Sequence, residues 1–139
     1  MSHCFCTTRR VEFRDTDAAG IVHFSVFFNY MEEVEHEFLR TVGLSVVMQK
    51  DETSIAWPRV AARCDYQNAV RFEDQVEIEM SVSRLGQKSV TYEFTFSHNG
   101  RPVAAGQMTA VCCQMQPGGE LKSMTIPDWM AAKLKSVAE

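Results

Sequence analysis

The chain has 139 residues, a length that suits one domain, so residues 1–139 are expected to form a single domain. Its composition is ordinary for a globular protein, and its formal net charge of -4 argues against broad nucleic-acid binding, which needs a basic surface. No apolar run reaches the length of a membrane span, and the N-terminal MSHCFCTTRR lacks the apolar core of a signal peptide. The sequence therefore predicts a cytoplasmic protein that has neither nucleic acid nor membrane as a partner.

The five cysteines predict reduced thiols and no metal site. Five is an odd number, and the spacings Cys4-x-Cys6 and Cys112-Cys113 match no common zinc pattern. If Cys112 and Cys113 lie on a strand, their side chains should point to opposite faces.

The first predicted strand runs from Thr8 to Phe13, because Val11 and Phe13 alternate with charged residues. It stops at a turn over Asp15–Gly20. The apolar period then changes from two to three or four.

This change predicts a helix from Phe24 to Val42, about nineteen residues that would span about 28 Å. Gly43 is a natural C-terminal stop. The apolar stripe consists of Phe24, Phe27, Phe28, Met31, Val34, Phe38 and Val42. Four glutamates fill much of the remaining surface and are expected in solvent: Glu32, Glu33, Glu35 and Glu37.

Four later segments alternate apolar and polar residues, which predicts antiparallel strands with one buried face. They are PRVAARCDYQ (58–67), VEIEMSVSRL (76–85), KSVTYEFTFS (88–97) and PVAAGQMTAVCCQM (102–115). In the first of them the predicted inner face is Val60, Ala62, Cys64 and Tyr66. HNGR at 98–101 predicts a hairpin turn, and IPDWMAAKLKSV at 126–137 predicts a short helix with Pro127 in its first turn.

This order predicts an α+β fold in which a curved antiparallel sheet of about five strands wraps around one long central helix. The free edges of such a sheet favour a dimer whose two sheets join edge to edge.

The segment FRDTDAAGIVHF, residues 13–24, combines groups that suit one kind of chemistry. A carboxylate near Gly20 lies on a tight turn that leads directly into a helix N-terminus. The first N–H groups of a helix lack internal partners and can stabilise a developing oxyanion. A carboxylate and these donors could suffice to hydrolyse a thioester, whose thiolate leaves easily. The carboxylate would either attack the carbonyl or activate a water, and the sequence leaves both routes open.

RVEFRDTDAAGIVHF, residues 10–24, resembles the signature of the 4-hydroxybenzoyl-CoA thioesterase family of hotdog-fold proteins. The matching positions are Asp15, Asp17, Gly20 and His23. Residues 54–80 are similar to the family's second strand, connecting loop and third strand, and the resemblance covers roughly residues 8–114. It departs from a common subgroup, which has tyrosine and histidine where Phe13 and Phe24 stand here.

The resemblance implies hydrolysis of an acyl-CoA at a site formed at a dimer interface, usually within a homotetramer built as a dimer of dimers. It implies no cofactor beyond the CoA of the substrate, and no metal. Asp17 matches the catalytic aspartate, and the backbone N–H near His23 and Phe24 matches the oxyanion donor. Further substrate contacts are expected from Gly20, Trp57, Glu32, Lys88 and Ser89.

Alternatives remain for several of these residues. Asp15 is expected to hold the turn through backbone N–H groups. His23 is either a helix-entry residue or part of the acyl pocket, and Trp57 is either a packing residue or a pocket wall. At the level of function, the alternatives are a hotdog module that binds acyl-CoA without hydrolysing it, and a dehydratase or hydratase on the same fold.

Overall fold

The computed structural model describes residues 3–138. Within them the strands are β1 (Phe5–Arg10), β2 (Met48–Lys50), β3 (Thr53–Ala56), β4 (Arg59–Tyr66), β5 (Gln75–Leu85), β6 (Ser89–His98), β7 (Arg101–Val111), β8 (Cys113–Met115) and β9 (Leu121–Ser123). The α-helices are α1 (Val26–Thr41) and α2 (Asp128–Leu134), and short 3-10 helices cover Phe13–Asp15 and Lys135–Val137. In this part of the chain no helix combines the length and apolar character needed to cross a bilayer.

The strands form two antiparallel sheets, which confirms the predicted α+β class. The main sheet has the order β1-β5-β6-β7-β4, and the small sheet has the order β2-β3-β8-β9. The predicted inner faces of β5 and β6 are buried, from Val76 to Val82 and from Val90 to Phe96. The predicted hairpin turn is also confirmed, because Asn99 and Gly100 both have positive φ between β6 and β7.

Helix α1 is shorter than predicted, with 16 residues instead of about nineteen. It begins at Val26, whose N–H donates to the carbonyl of His23, so Phe24 precedes the helix and is 63% exposed. The stop at Gly43 is confirmed by its φ of +80°, a conformation that suits glycine.

The side chains of α1 contact the main sheet from one edge to the other. Phe38 meets Phe5 of β1 with ring centroids 5.8 Å apart, and the Glu35 carboxylate pairs with Arg59 of β4. Between these edges the helix lies close to β7, where a β-carbon at Gly106 would collide with the Met31 sulfur. The helix therefore lies across the sheet and is held at both of its edge strands.

Strand β4 does not have the predicted inner face. Val60 is 62% exposed, Ala62 and Tyr66 are also exposed, and Cys64 is only partly buried. β4 is an edge strand, so the apolar core covers little of it, and alternation alone does not identify the depth of a strand.

Two other strand boundaries differ from the prediction. The first strand is Phe5–Arg10 instead of Thr8–Phe13, because Asp15 accepts the Glu12 N–H and turns residues 13–15 into a 3-10 helix that leaves Phe13 77% exposed. The last long strand breaks at Cys112, whose N–H donates to the Lys88 carbonyl outside the ladder.

Because of that break, Cys112 lies in no strand, so the condition for opposite faces is not met, and both Cys112 and Cys113 are buried. A hairpin also occupies the polar stretch before β4, with Asp51 and Glu52 at positive φ between β2 and β3. The C-terminal helix α2 is confirmed and begins directly after Pro127.

Candidate active site

Asp15 fixes the turn that carries both acids of the segment before α1. Its Oδ2 accepts hydrogen bonds from the Glu12 N–H at 2.9 Å and the Tyr30 hydroxyl at 3.0 Å. Burial and the contact with Asp15 raise the pKa of Tyr30, so its hydroxyl stays protonated and donates. The Asp15 carbonyl accepts the His23 N–H at 2.9 Å, which ties the end of the turn to its start.

Asp17 presents one bonded and one unbonded carboxylate oxygen. Its Oδ1 accepts the Ala19 N–H at 2.8 Å and the Ile21 N–H at 3.4 Å. Its Oδ2 makes no hydrogen bond to any described residue, so this oxygen is available to a substrate or a water. Gly20 has a φ of +81°, which explains the glycine at the tip of the turn.

The two predicted oxyanion donors, the backbone N–H groups of His23 and Phe24, differ in whether they are already hydrogen-bonded. The His23 N–H is already bonded to Asp15, whereas the Phe24 N–H donates to no atom of residues 3–138. The His23 ring accepts the Ser25 N–H at its Nδ1 at 3.2 Å and stacks on Phe24 with centroids 4.6 Å apart. The His23 ring therefore bonds to the residue just before α1, and the free backbone donor at this point is the Phe24 N–H.

A cavity of about 290 Å³ lies beside these groups, and Asp17 and Phe24 both border it. Its wall is largely apolar and comes from two segments of the chain, 17–27 and 66–70. The remaining lining residues are Ile21, Val22, Phe27, Tyr66, Gln67, Asn68, Ala69 and Val70. An apolar cavity with one carboxylate and one backbone donor can hold an acyl group with its carbonyl between them.

Tyr66 is a lining residue that sequence reasoning missed. Its hydroxyl donates to the Phe24 carbonyl at 2.8 Å, and its ring meets Phe27 at 5.4 Å. Burial raises the pKa of Tyr66 to about 12, so the hydroxyl remains a donor at neutral pH. Its place at the end of an alternating strand suggested core packing, and no local sequence signal points to Phe24.

Replacing Tyr66 with Phe is expected to lower kcat about fivefold, because one neutral hydrogen bond that positions Phe24 contributes about 1 kcal/mol. Steady-state kinetics with an acyl-CoA measures the effects on kcat and on KM separately, since a positioning role affects kcat more than KM. The thermal midpoint serves as the control, and the loss of this one hydrogen bond should lower it by no more than about 4 °C. An unchanged kcat would show that this bond does not position Phe24.

Four of the other predicted site residues lie away from this cavity within one chain. Trp57 is partly buried against the core and Glu32 is exposed, and both lie near Arg59. Lys88 and Ser89 lie at the start of β6. Phe27 beside the cavity meets Phe96 near the end of that strand, about 23 Å from Ser89 at roughly 3.3 Å per residue.

A second polar group, which the sequence did not indicate, lies further along α1. Glu35 is 1% exposed, and its Oε2 accepts a hydrogen bond from Arg59 Nη1 at 3.1 Å while Oε1 meets Nη2. Burial raises the pKa of Glu35 to about 7, although Arg59 lowers it. Arg59 also donates to the Trp57 carbonyl and lies 3.6 Å from Glu32, so it links the helix to the edge strand.

Comparison with known proteins matches residues 11–134 to the thioesterase-like superfamily. The chain is 32% identical over 109 residues to a 1,4-dihydroxy-2-naphthoyl-CoA hydrolase of Synechococcus elongatus, covering 78% of this chain and 80% of that protein. It is 24% identical over 118 residues to the acyl-CoA thioesterase YbgC of Haemophilus influenzae, covering 85% of each. The solved structure of a gentisyl-coenzyme A thioesterase superposes with a TM-score of 0.79 at 29% identity, covering 94% of this chain and 99% of that one.

Proposed function

The chain belongs to the thioesterase-like superfamily and is a thioester hydrolase, and we propose that it cleaves an acyl-CoA to the free acid and CoA at the cavity between Asp17 and Phe24. The observation that carries this proposal is the pairing of two unbonded groups at one cavity. These are the Asp17 Oδ2 and the Phe24 N–H. The His23 N–H is left out of the proposed oxyanion hole because Asp15 occupies it.

In the proposed mechanism the Phe24 N–H donates to the thioester carbonyl oxygen as negative charge develops there. Asp17 either attacks the carbonyl carbon, expelling the CoA thiolate and forming a mixed anhydride, or removes a proton from an attacking water. The thiolate needs no strong general acid, because its conjugate acid has a pKa of about 8.5. Water then attacks the Asp17 carbonyl of the anhydride, which releases the acid and restores the carboxylate. A single turnover in ¹⁸O-water separates the routes, because this path leaves the label on Asp17, whereas an activated water leaves it on the product acid.

We also propose an aromatic acyl group as the substrate class. The cavity wall contains the rings of Phe24, Phe27 and Tyr66, and aromatic rings stack well on such surfaces. Two relatives are named for aromatic acyl-CoA substrates, dihydroxynaphthoyl-CoA and gentisyl-CoA.

A panel of aromatic and linear acyl-CoA thioesters, followed by thiol release, tests the function. Aromatic members are expected to show the higher kcat/KM. Saturable binding of the same compounds without thiol release would instead identify a module that binds acyl-CoA and does not hydrolyse it.

The proposed fold is the hotdog arrangement, in which the main sheet curves around α1 as the central helix. The contacts of α1 with both edge strands, β1 through Phe38 and β4 through Glu35, support this arrangement. No metal or further cofactor is proposed for the cavity, whose lining includes a single carboxylate side chain.

The proposed assembly is a homodimer joined through β4, or a homotetramer made of two such dimers. Among the described strands none pairs with the outer edge of β4, an eight-residue strand whose exposed side chains include Val60. A partner could then bring Glu32, Trp57, Lys88 or Ser89 to the cavity from the second chain.

Sedimentation velocity tests the assembly. Val60→Lys is expected to shift the protein towards the monomer, because like charges would meet across the paired edges. Val47→Lys is the matched control, since Val47 is an exposed valine outside β4. A wild-type protein that sediments as a monomer would contradict the proposal.

A further inference from the structure

Cys4, Cys6 and Glu79 form a cluster on the face of the main sheet opposite α1. Thr7 and Arg9 of β1 bond to glutamates of α1, so the alternating residues Cys4 and Cys6 point the other way. The register of β1 and β5 places Glu79 directly opposite Cys6. None of the three lines the cavity of the proposed active site.

The ligand atoms of this cluster lie close together. The two sulfur atoms are 3.4 Å apart, and one carboxylate oxygen of Glu79 lies within 4.8 Å of both. Around a tetrahedral zinc ion, bond lengths of about 2.3 Å to sulfur and 2.1 Å to oxygen require about 3.8 Å between sulfurs and about 3.6 Å between sulfur and oxygen. The sulfurs need to separate by only a few tenths of an ångström, and the exposed Glu79 side chain can rotate to close the remaining gap.

We propose that Cys4, Cys6 and Glu79 bind one thiophilic divalent metal ion of the zinc class, with the fourth position open to water. Sulfur ligands favour this class over calcium or magnesium, which take oxygen ligands. Bound there, the ion would join the edge strand β1 to β5.

A disulfide is the competing use of the two thiols. Residues i and i+2 on a strand have Cα atoms about 6.6–6.8 Å apart, at the long limit of disulfide geometry. An ion between the sulfurs removes this constraint.

The sequence did not indicate this metal site, because Cys4-x-Cys6 alone matches no zinc pattern and the third ligand lies on another strand.

The test uses the full chain with its thiols reduced, titrated with Cd²⁺ as a spectroscopic probe and with Zn²⁺ by calorimetry. One ion per chain is expected, with a sulfur-to-cadmium charge-transfer band and a higher melting temperature in saturating Zn²⁺. Cys4→Ser and Cys6→Ser should each remove the band and the Zn²⁺-dependent rise in melting temperature. Glu79→Gln should weaken binding about 10-fold.

Two matched controls accompany these variants, and both should bind as the wild type does. Cys64→Ser removes a partly buried thiol outside the cluster, and Glu77→Gln removes another exposed glutamate of β5. Melting in EDTA shows that each variant folds. The proposal is overturned if no ion binds, or if either serine variant retains wild-type binding.

Discussion

Replacing Asp17 with Asn is expected to lower kcat at least about 100-fold, which corresponds to about 2.7 kcal/mol of transition-state stabilisation. The amide keeps an oxygen that can accept the Ala19 and Ile21 N–H groups, so the turn should persist. It removes the negative charge that attacks the carbonyl or takes a proton from water. Thiol release from the best acyl-CoA of the panel measures the loss, and circular dichroism with a melting curve verifies the fold.

Asp15→Asn provides the comparison for that experiment. Asp15 is bonded to Glu12 and Tyr30 inside the turn, so its replacement should cost stability more than turnover per folded molecule. A stable but inactive Asp15→Asn protein would exchange the roles of the two acids. A normal rate in Asp17→Asn would refute the mechanism.

Replacing Arg59 with Met is expected to cause a large loss of stability, about 3–5 kcal/mol at pH 8. The variant leaves Glu35, which is almost fully buried, without its cationic partner. The loss should be smaller at pH 5, because a carboxyl without Arg59 binds a proton more readily and avoids a buried charge. Urea denaturation at the two pH values gives the free energies of unfolding.

The double variant Glu35→Met/Arg59→Met is the control for the charge. Removing both partners leaves no buried ion, so most of the stability lost in Arg59→Met should return. An equal loss in single and double variants would assign the effect to packing of the arginine side chain instead.

Glu35 also makes the free energy of unfolding of the wild type depend on pH. Its pKa rises from 4.5 in the unfolded chain to about 7, so between these values the native state binds more protons. The free energy of unfolding therefore falls as pH rises through this range, by roughly 3 kcal/mol in all. Glu35→Gln should flatten the slope.

This comparison is best made with His36→Asn in both proteins, because the His36 imidazole lies 3.7 Å from the Glu35 carboxylate, and burial lowers the pKa of His36. Tyr92 of β6 also faces Glu35, and burial raises the pKa of its hydroxyl, so it stays neutral in this range. A slope that survives Glu35→Gln would place its origin elsewhere in the chain.

The sequence predicts correctly those strands in which buried and exposed residues alternate strictly. β5 and β6 alternate strictly, and both lie in the middle of the sheet where one face is covered. β4 alternates too, yet it lies at the edge, and position within a sheet is a long-range property. Glu35 shows the opposite case: its position belongs to the buried face of α1, but its charge suggested solvent, because the compensating Arg59 comes from a distant strand.

The residues of the candidate site also fall into two groups, those with a local sequence signal and those that a distant segment brings in. Asp17, Gly20 and Phe24 lie in one short segment, and the resemblance of this segment to the family signature implied their roles. Tyr66 joins them only because β4 ends beside the turn, and this pairing has no local signal. Lys88 and Ser89, which are also predicted to contact substrate, do not line the cavity within one chain.

The turn that carries Asp17 is held largely by its own residues, through bonds among Glu12, Asp15, Ile21 and His23. The opposite wall of the cavity, residues 66–70, consists of the end of β4 and the loop after it. It is bonded to the first segment at both ends, where the Tyr66 hydroxyl donates to the Phe24 carbonyl and the Val22 N–H donates to the Val70 carbonyl. In evolution or in the laboratory, the positions between these two contacts, 67–69, can therefore vary while the bonded turn stays in place. The loop can vary to admit new acyl groups while the chemistry stays unchanged, and a small scaffold of this kind can serve many substrates.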